Sequence, residues 1–142
     1  MIRLAETHDL TALLELYTHL HNNPVPDEPP EHLWAEIIAD PNHYIIVAEQ
    51  DGKLVSSCVL LVVPNLTHSQ RPYALIENVV THTDYRKRGL GHAVMGFAKE
   101  IARERKCYKI MLLTGTKQAA TLRFYERAGY NCQDKTGFIQ WL

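Results

Sequence analysis

The sequence predicts a single α/β (α+β) domain spanning residues 1–142, with one mixed central sheet, helices on both faces and the element order βααβββαβαββ. Three observations carry that expectation. Leu90, Ala93, Val94, Phe97, Ala98, Ile101 and Ala102 recur at 3.6-residue spacing, the signature of an amphipathic helix. This segment lies between strand-like runs at residues 73–81 and 109–113, and a strand–helix–strand unit implies a parallel pair joined by a right-handed crossover. Asp51-Gly52 separates two β-rich runs, a strong hairpin signal that adds antiparallel pairing to the same sheet. A length of 142 residues suits one such domain.

Each element has its own reason. Ile2-Arg3-Leu4 reads as a short first strand. Asp9 is a candidate cap for a helix whose Leu10, Leu13, Leu14, Tyr17 and Leu20 keep helical spacing. Residues 22–30 contain four prolines and form a loop, since proline is excluded from a helix interior. Leu33, Trp34, Ile37 and Ile38 mark a second helix that stops near Asp40-Pro41. Residues 44–49 and 54–63 are the hairpin strands, and residues 73–81 form the next strand. After the regular helix, residues 109–113 read as a buried strand. A helix over about residues 119–128 then ends at Gly129. Residues 130–132 and 138–141 are expected as final strands, a candidate hairpin.

Composition narrows the function. The chain is 46% hydrophobic, which argues against disorder, and its longest apolar run, residues 59–63, is far short of the ~20 residues that span a bilayer. The N-terminus has no apolar stretch of the kind a signal peptide needs. Three cysteines (Cys58, Cys107 and Cys132) do not make a disulfide framework, so a reducing cytoplasm is expected. A formal net charge of −1 removes the electrostatic case for nucleic acid, and no membrane partner is expected. The charge is nevertheless uneven. Residues 1–40 carry one base against eight acids (net −7), whereas residues 83–109 carry eight bases against three acids (net +5). Such asymmetry steers ligands of opposite sign to different parts of one surface, unless these are simply solvated helix faces.

The strand–helix junction reads Asp84-Tyr85-Arg86-Lys87-Arg88-Gly89-Leu90-Gly91-His92. Bases and glycines at the start of a helix form a candidate anion cradle. The first helical N–H groups are unpaired there, and glycine lets the backbone approach a phosphate closely. The segment matches neither GxxxxGK[ST] nor GxGxxG.

Arg86-x-x-Gly89-x-Gly91, preceded by Glu77-Asn78-Val79-Val80-Thr81, resembles the acetyl-coenzyme A signature of the GNAT N-acetyltransferases. Phe124-Tyr125-Glu126-Arg127-Ala128-Gly129-Tyr130 resembles that family's later FYExxGF segment, and the element order fits the GNAT fold over essentially the whole chain. The resemblance implies an acetyl-CoA-dependent N-acetyltransferase, with acetyl-CoA as co-substrate and no metal. It implies a strand that splays from its parallel neighbour at a β-bulge, where Val79, Val80 and Thr81 offer a backbone edge to pantetheine. The pyrophosphate is then expected on the amides of Arg86, Lys87, Arg88, Gly89, Leu90, Gly91 and His92. Many relatives carry asparagine where this chain has Gln118, whose longer amide is the expected coenzyme contact.

Acetyl transfer to an amine requires a proton acceptor and a way to discharge the thiolate. Glu77, within an apolar strand, is the candidate base, because burial there would make it a better proton acceptor. A structural carboxylate is the alternative. Tyr125 is the candidate acid: a phenol, with ordinary pKa near ~10, stays protonated at neutral pH and can donate to sulfur. Its alternative is a core aromatic sharing a helix face with Leu122 and Ala128.

By the same resemblance the acceptor binds between the first two helices and the sheet. The candidate residues there include Tyr17, His21, Glu28 and Trp34. The acidic balance of residues 1–40 favours a cationic acceptor, most simply a small-molecule primary amine. The alternatives are a protein or peptide amine, and a coenzyme A-binding regulatory module without turnover. No metal-ligand motif is present; a helical His19/His21 pair diverges by about 200°. Phe138-Ile139-Gln140-Trp141-Leu142 offers an apolar edge for a homodimer.

Overall fold

The computed structural model describes residues 1–20 and 24–142. His21, one of the expected acceptor residues, lies outside the described residues, as do Asn22 and Asn23. The chain divides into two compact units, residues 1–112 and 113–142.

The first unit is built on a five-stranded sheet in the order β1-β2-β3-β4-β5. The strands are β1 (Ile2–Leu4), β2 (His43–Gln50), β3 (Lys53–Val63), β4 (Tyr73–Thr81) and β5 (Ile110–Met111). The first three pairings are antiparallel, and β4 pairs with β5 in parallel through the crossover helix α3 (Leu90–Glu104). The β2–β3 hairpin turns as Asp51-Gly52 predicts, because both residues take positive φ (53° and 73°), the backbone that matches strand twist.

Both faces of this sheet are covered. Ile45 and Val47 of β2, with Val59 and Val80, pack under α1 (Leu10–Tyr17) and α2 (Glu31–Ala39), against Leu13, Leu16 and Trp34. Strand side chains alternate, so Cys58 beside Val59 points the other way. Its Sγ lies 3.6 Å from the Val94 carbonyl of α3, whose Val94, Ala98 and Ala102 are buried as the spacing predicts; Met95, outside that spacing, is buried too, and Ala93 is exposed.

Asp9 has a different task from the one expected. It closes a 3₁₀ turn (Thr7–Asp9) ahead of α1, and its side chain does not cap that helix. Its carboxylate accepts the Glu6 N–H at 2.7 Å and the Arg3 guanidinium at 2.6 and 3.0 Å. Arg3 also donates to Glu49 at 2.8 Å, which ties β1, the turn and β2 together. The Arg3 hydrogen bonds hold the Asp9 carboxyl below its ordinary value, against the opposing effect of burial.

The second unit holds α4 (Ala119–Arg127), with Gln118 at its N-cap position. Gly129 follows at φ 97°, a left-handed stop, and its N–H donates to the Glu126 carbonyl at 3.0 Å. Two expectations are corrected towards the C-terminus. The strand expected over residues 109–113 covers only Ile110–Met111 and is half-buried, since β4 supplies partners only at Ala74 and Leu75. Residues 130–132 and 138–141 form no strand. Asn131 instead folds its side chain into a turn, its Oδ1 accepting from the backbone N–H groups of Gln133 (3.1 Å) and Asp134 (3.0 Å).

Candidate active site

The site begins at an irregularity in β4. The β3–β4 register runs Val59↔Glu77 and then Ser57↔Val80, so Asn78 and Val79 together oppose Cys58. This is a β-bulge, and Asn78 within it adopts φ 51°, a left-handed conformation that asparagine tolerates better than most residues. The bulge reverses the backbone parity of the strand. Before it, the Ala74 N–H faces β5 and bonds the Lys109 carbonyl at 3.0 Å. After it, the His82 N–H faces β3 and bonds the Val55 carbonyl at 2.9 Å. Alternation then turns the peptide groups of Val79 and Thr81 to the side away from β3. Within residues 1–112 no strand pairs with β4 beyond Leu75 on that side. Within that unit the edge is polar and unpaired, while the Val80 side chain stays buried in the core.

The edge leads into a turn that presents amides and positive charge. His82 caps a short 3₁₀ turn (Thr83–Tyr85), its Nδ1 accepting the Asp84 N–H at 3.2 Å. Lys87 (φ 62°) and Gly89 (φ 77°) are left-handed, and Gly89 occupies the N-cap of α3. The Ala93 N–H donates to the Gly89 carbonyl at 3.0 Å, so the helix ladder begins there and the amides of Leu90 and Gly91 precede it. Arg86, Lys87 and Arg88 are exposed around this helix start. The Arg86 Nε donates to the Thr81 carbonyl at 3.2 Å, and Arg88 stacks over Tyr85 at 4.9 Å while donating to the Asp84 carbonyl. Two of the three bases are thus pre-positioned.

The end of α1 reaches the same place. The His19 ring lies 4.1 Å from that of His82, which meets Tyr85 edge-on at 5.4 Å. Burial, reinforced by His82 and Arg86, holds His19 below the usual imidazole range. An extended, phosphate-bearing ligand fits this arrangement, with its chain along the open β4 edge and its phosphates at the helix start.

A model described as the acetyltransferase (GNAT) family matches residues 10–130, most of the chain. The chain belongs to the GNAT family of acetyltransferases. Among individual proteins it is 31% identical to a glucosamine 6-phosphate N-acetyltransferase of Trypanosoma brucei brucei, over 94% of this chain and 90% of the relative. Among solved structures it is similar to a putative acetyltransferase from Agrobacterium tumefaciens strain C58. That match has 44% identity, a TM-score of 0.94, and covers 100% of this chain and 99% of that one. A transcriptional regulator from Bacillus halodurans C-125 matches at 28% identity and TM-score 0.87, over 99% of each chain.

Within this GNAT frame several expected residues change role. Glu77 is solvent-exposed, because the residue beside the bulge is not covered as its apolar sequence neighbours are, so the burial invoked for a base is missing. Trp34 is 5% exposed and belongs to the core, its Nε1 donating to the Thr7 carbonyl at 2.8 Å. Tyr17 packs against the same core. Burial pushes the Tyr17 phenol up to about 12, although the neighbouring Asn78 and Ser57 side chains draw it down. Glu28 is exposed in the proline-rich segment. In the second unit Tyr125 is half-buried on α4, its ring edge-on to Phe124 at 5.0 Å, and Gln118 is exposed at the helix start.

Residues the sequence reading passed over also matter here. Asn78 makes the bulge, and its signal was an αL-tolerant residue inside an apolar strand. Ser56 and Ser57 are two buried hydroxyls in an otherwise apolar run. Ser57 Oγ donates to the Ile46 carbonyl at 2.8 Å. Ser56 Oγ bonds the Val80 carbonyl at 2.9 Å and pairs with the Thr81 hydroxyl at 2.8 Å, fixing the end of β4.

Proposed function

We propose that this GNAT enzyme transfers the acetyl group of acetyl-CoA to the primary amine of a small molecule, with an amino sugar as the leading acceptor class. The open β4 edge running into the amide-rich, basic start of α3 carries the reading. It suits pantetheine on the peptide groups of Val79 and Thr81, and a pyrophosphate on the first-turn amides with Arg86, Lys87 and Arg88 around it. When bound, acetyl-CoA supplies an activated thioester. The amine nitrogen forms the new bond to the acetyl carbon and the carbon–sulfur bond breaks. The amine's proton passes to Glu77 through water, and Tyr125 gives its hydroxyl proton to the departing sulfur. An exposed Glu77 suits a water-mediated role better than direct abstraction.

The name of the 31%-identical relative supports an amino sugar. The charge of this chain supports a cationic one. Arg3 is the sole Lys or Arg in residues 1–40, and Asp9 and Glu49 already hold it. The family match runs through both units, which supports reading residues 1–142 as one working domain. Phe138, Ile139, Trp141 and Leu142 are each at least 64% exposed, an apolar end suited to a homodimer. Three free cysteines suit a cytoplasmic enzyme, and among the described residues no helix is long and apolar enough to cross a membrane. A coenzyme A-binding module without turnover is the second reading, favoured by the name of the 28%-identical regulator.

The test is product identification by mass spectrometry after incubation with acetyl-CoA. The acceptors are glucosamine, glucosamine 6-phosphate, spermidine, an aminoglycoside and a short peptide. Acetylation of an amino sugar supports the reading, acetylation of the peptide alone overturns its acceptor class, and coenzyme A binding with no product favours the regulatory module.

A further inference from the structure

We infer that His82 is a positioning residue for the phosphates of acetyl-CoA, acting through Asp84 and Tyr85 to aim the Arg88 guanidinium beside the start of α3. The inference rests on the GNAT reading of this turn and extends it to a residue that acts at one remove from the ligand. His82 follows β4 directly, and its backbone is pinned on both sides. Its N–H donates to the Val55 carbonyl of β3 at 2.9 Å, and its carbonyl accepts the Tyr85 N–H at 2.9 Å. Its side chain adds a third hydrogen bond, Nδ1 accepting the Asp84 N–H at 3.2 Å. An accepting Nδ1 carries no proton, so the ring proton sits on Nε2. The same ring meets that of His19, just beyond α1, at 4.1 Å and that of Tyr85 edge-on at 5.4 Å.

The two residues that His82 holds are the two that hold Arg88. The Asp84 carbonyl accepts from the Arg88 guanidinium at 3.0 Å, and the Tyr85 ring lies 4.9 Å from it. A free arginine side chain loses much rotamer freedom when a ligand fixes it, and contacts that fix it beforehand reduce that loss. These contacts aim Arg88 only while Asp84 and Tyr85 keep their places. The turn that carries them is a 3₁₀ segment of three residues, too short to hold itself, so the His82 cap is a large part of its support. Arg86 is held differently. Its Nε donates to the Thr81 carbonyl of β4, a contact that passes through neither Asp84 nor Tyr85.

Two substitutions separate the functions of the ring. His82→Phe keeps the aromatic contacts and removes the acceptor, whereas His82→Asn removes the ring and keeps an oxygen able to accept the Asp84 N–H. His82→Phe is expected to raise the dissociation constant of acetyl-CoA, measured calorimetrically, about 5- to 20-fold, the effect of one lost cap. His82→Asn is expected to stay within about 2-fold of the parent. S-acetylpantetheine, which has the same thioester arm and no nucleotide phosphates, is expected to bind the parent and His82→Phe alike in a chemical-shift titration; a general structural lesion would weaken both ligands. In an Arg88→Ala background His82→Phe should cost under about 2-fold, while in an Arg86→Ala background its full effect should persist. An unchanged constant in His82→Phe overturns the proposal, as does equal weakening of the two ligands or an undiminished loss in the Arg88→Ala background. His82→Ala, which also lacks the acceptor, takes the place of His82→Phe if that variant does not fold. Parent protein that binds acetyl-CoA no more tightly than S-acetylpantetheine would instead overturn the phosphate reading of the turn.

Discussion

Replacing Gly89 with alanine isolates the geometry of the turn proposed to hold the phosphates. Gly89 sits at φ 77°, and a Cβ built there meets no heavy atom within 4 Å, so crowding contributes nothing to the cost. What remains is the left-handed backbone, about 1–2 kcal/mol for a residue with a side chain. For a chain of 142 residues that corresponds to a melting point lower by roughly 3–6 °C. The turn can relieve the strain by rotating out of the left-handed region. Doing so re-aims the amides of Leu90, Gly91 and His92, and each charge-assisted hydrogen bond lost to a phosphate is worth about 1.5–3 kcal/mol. One lost bond predicts a KM for acetyl-CoA about 10- to 100-fold higher, with kcat at saturation within about 2-fold, because the phosphates are remote from the reacting carbon. Gly52→Ala is the internal control. That glycine has nearly the same φ (73°) and the same open surroundings, but it lies in the β2–β3 hairpin. It should lower the melting point similarly and leave KM unchanged. Initial rates against acetyl-CoA, with melting curves for both variants, decide the matter. An unchanged KM in Gly89→Ala, or an equal rise in Gly52→Ala, refutes the assignment of this turn to the phosphates.

Asp9→Asn should cost about 2–3 kcal/mol at pH 7, because it discharges a buried carboxylate that accepts from Arg3 and from the Glu6 N–H. The folded carboxyl titrates below its ordinary 3.8, so the stabilisation is present above that pH and is lost as pH falls through the lower, folded value. Melting curves of the parent and the Asp9→Asn variant should therefore converge on acidification; a gap that does not narrow as the pH falls contradicts the ion-pair account. Tyr125→Phe keeps the ring beside Phe124 and removes the proposed acid, and should lower kcat about 100-fold with little change in KM. Turnover at an unaltered rate would remove Tyr125 from the mechanism.

The parts of this enzyme that sequence makes legible are those whose chemistry is local. Helix α3 announces itself through spacing, the hairpin through Asp51-Gly52, and the basic turn that opens α3 through three bases and two glycines. The parts that misled depend on partners distant in the chain. Trp34 has the same local appearance whether it lines a groove or donates to the Thr7 carbonyl in the core. Glu77 has apolar neighbours in sequence, yet exposure at a strand position is decided by what packs over it, and Glu77 itself is exposed. The apolar spacing at residues 138–141 has strand character, but strand formation needs an edge to pair with. Tyr17 fits an acceptor site by location, and its sequence neighbours do not reveal that it packs against the core formed by Leu13, Leu16 and Trp34.

Thiol release from acetyl-CoA, followed with and without a small primary amine such as glucosamine, tests the central claim most directly. The account predicts release that depends on the amine, saturates in acetyl-CoA and matches the acetylated product one for one. Protein that binds coenzyme A yet releases no more thiol with any amine than without would contradict it.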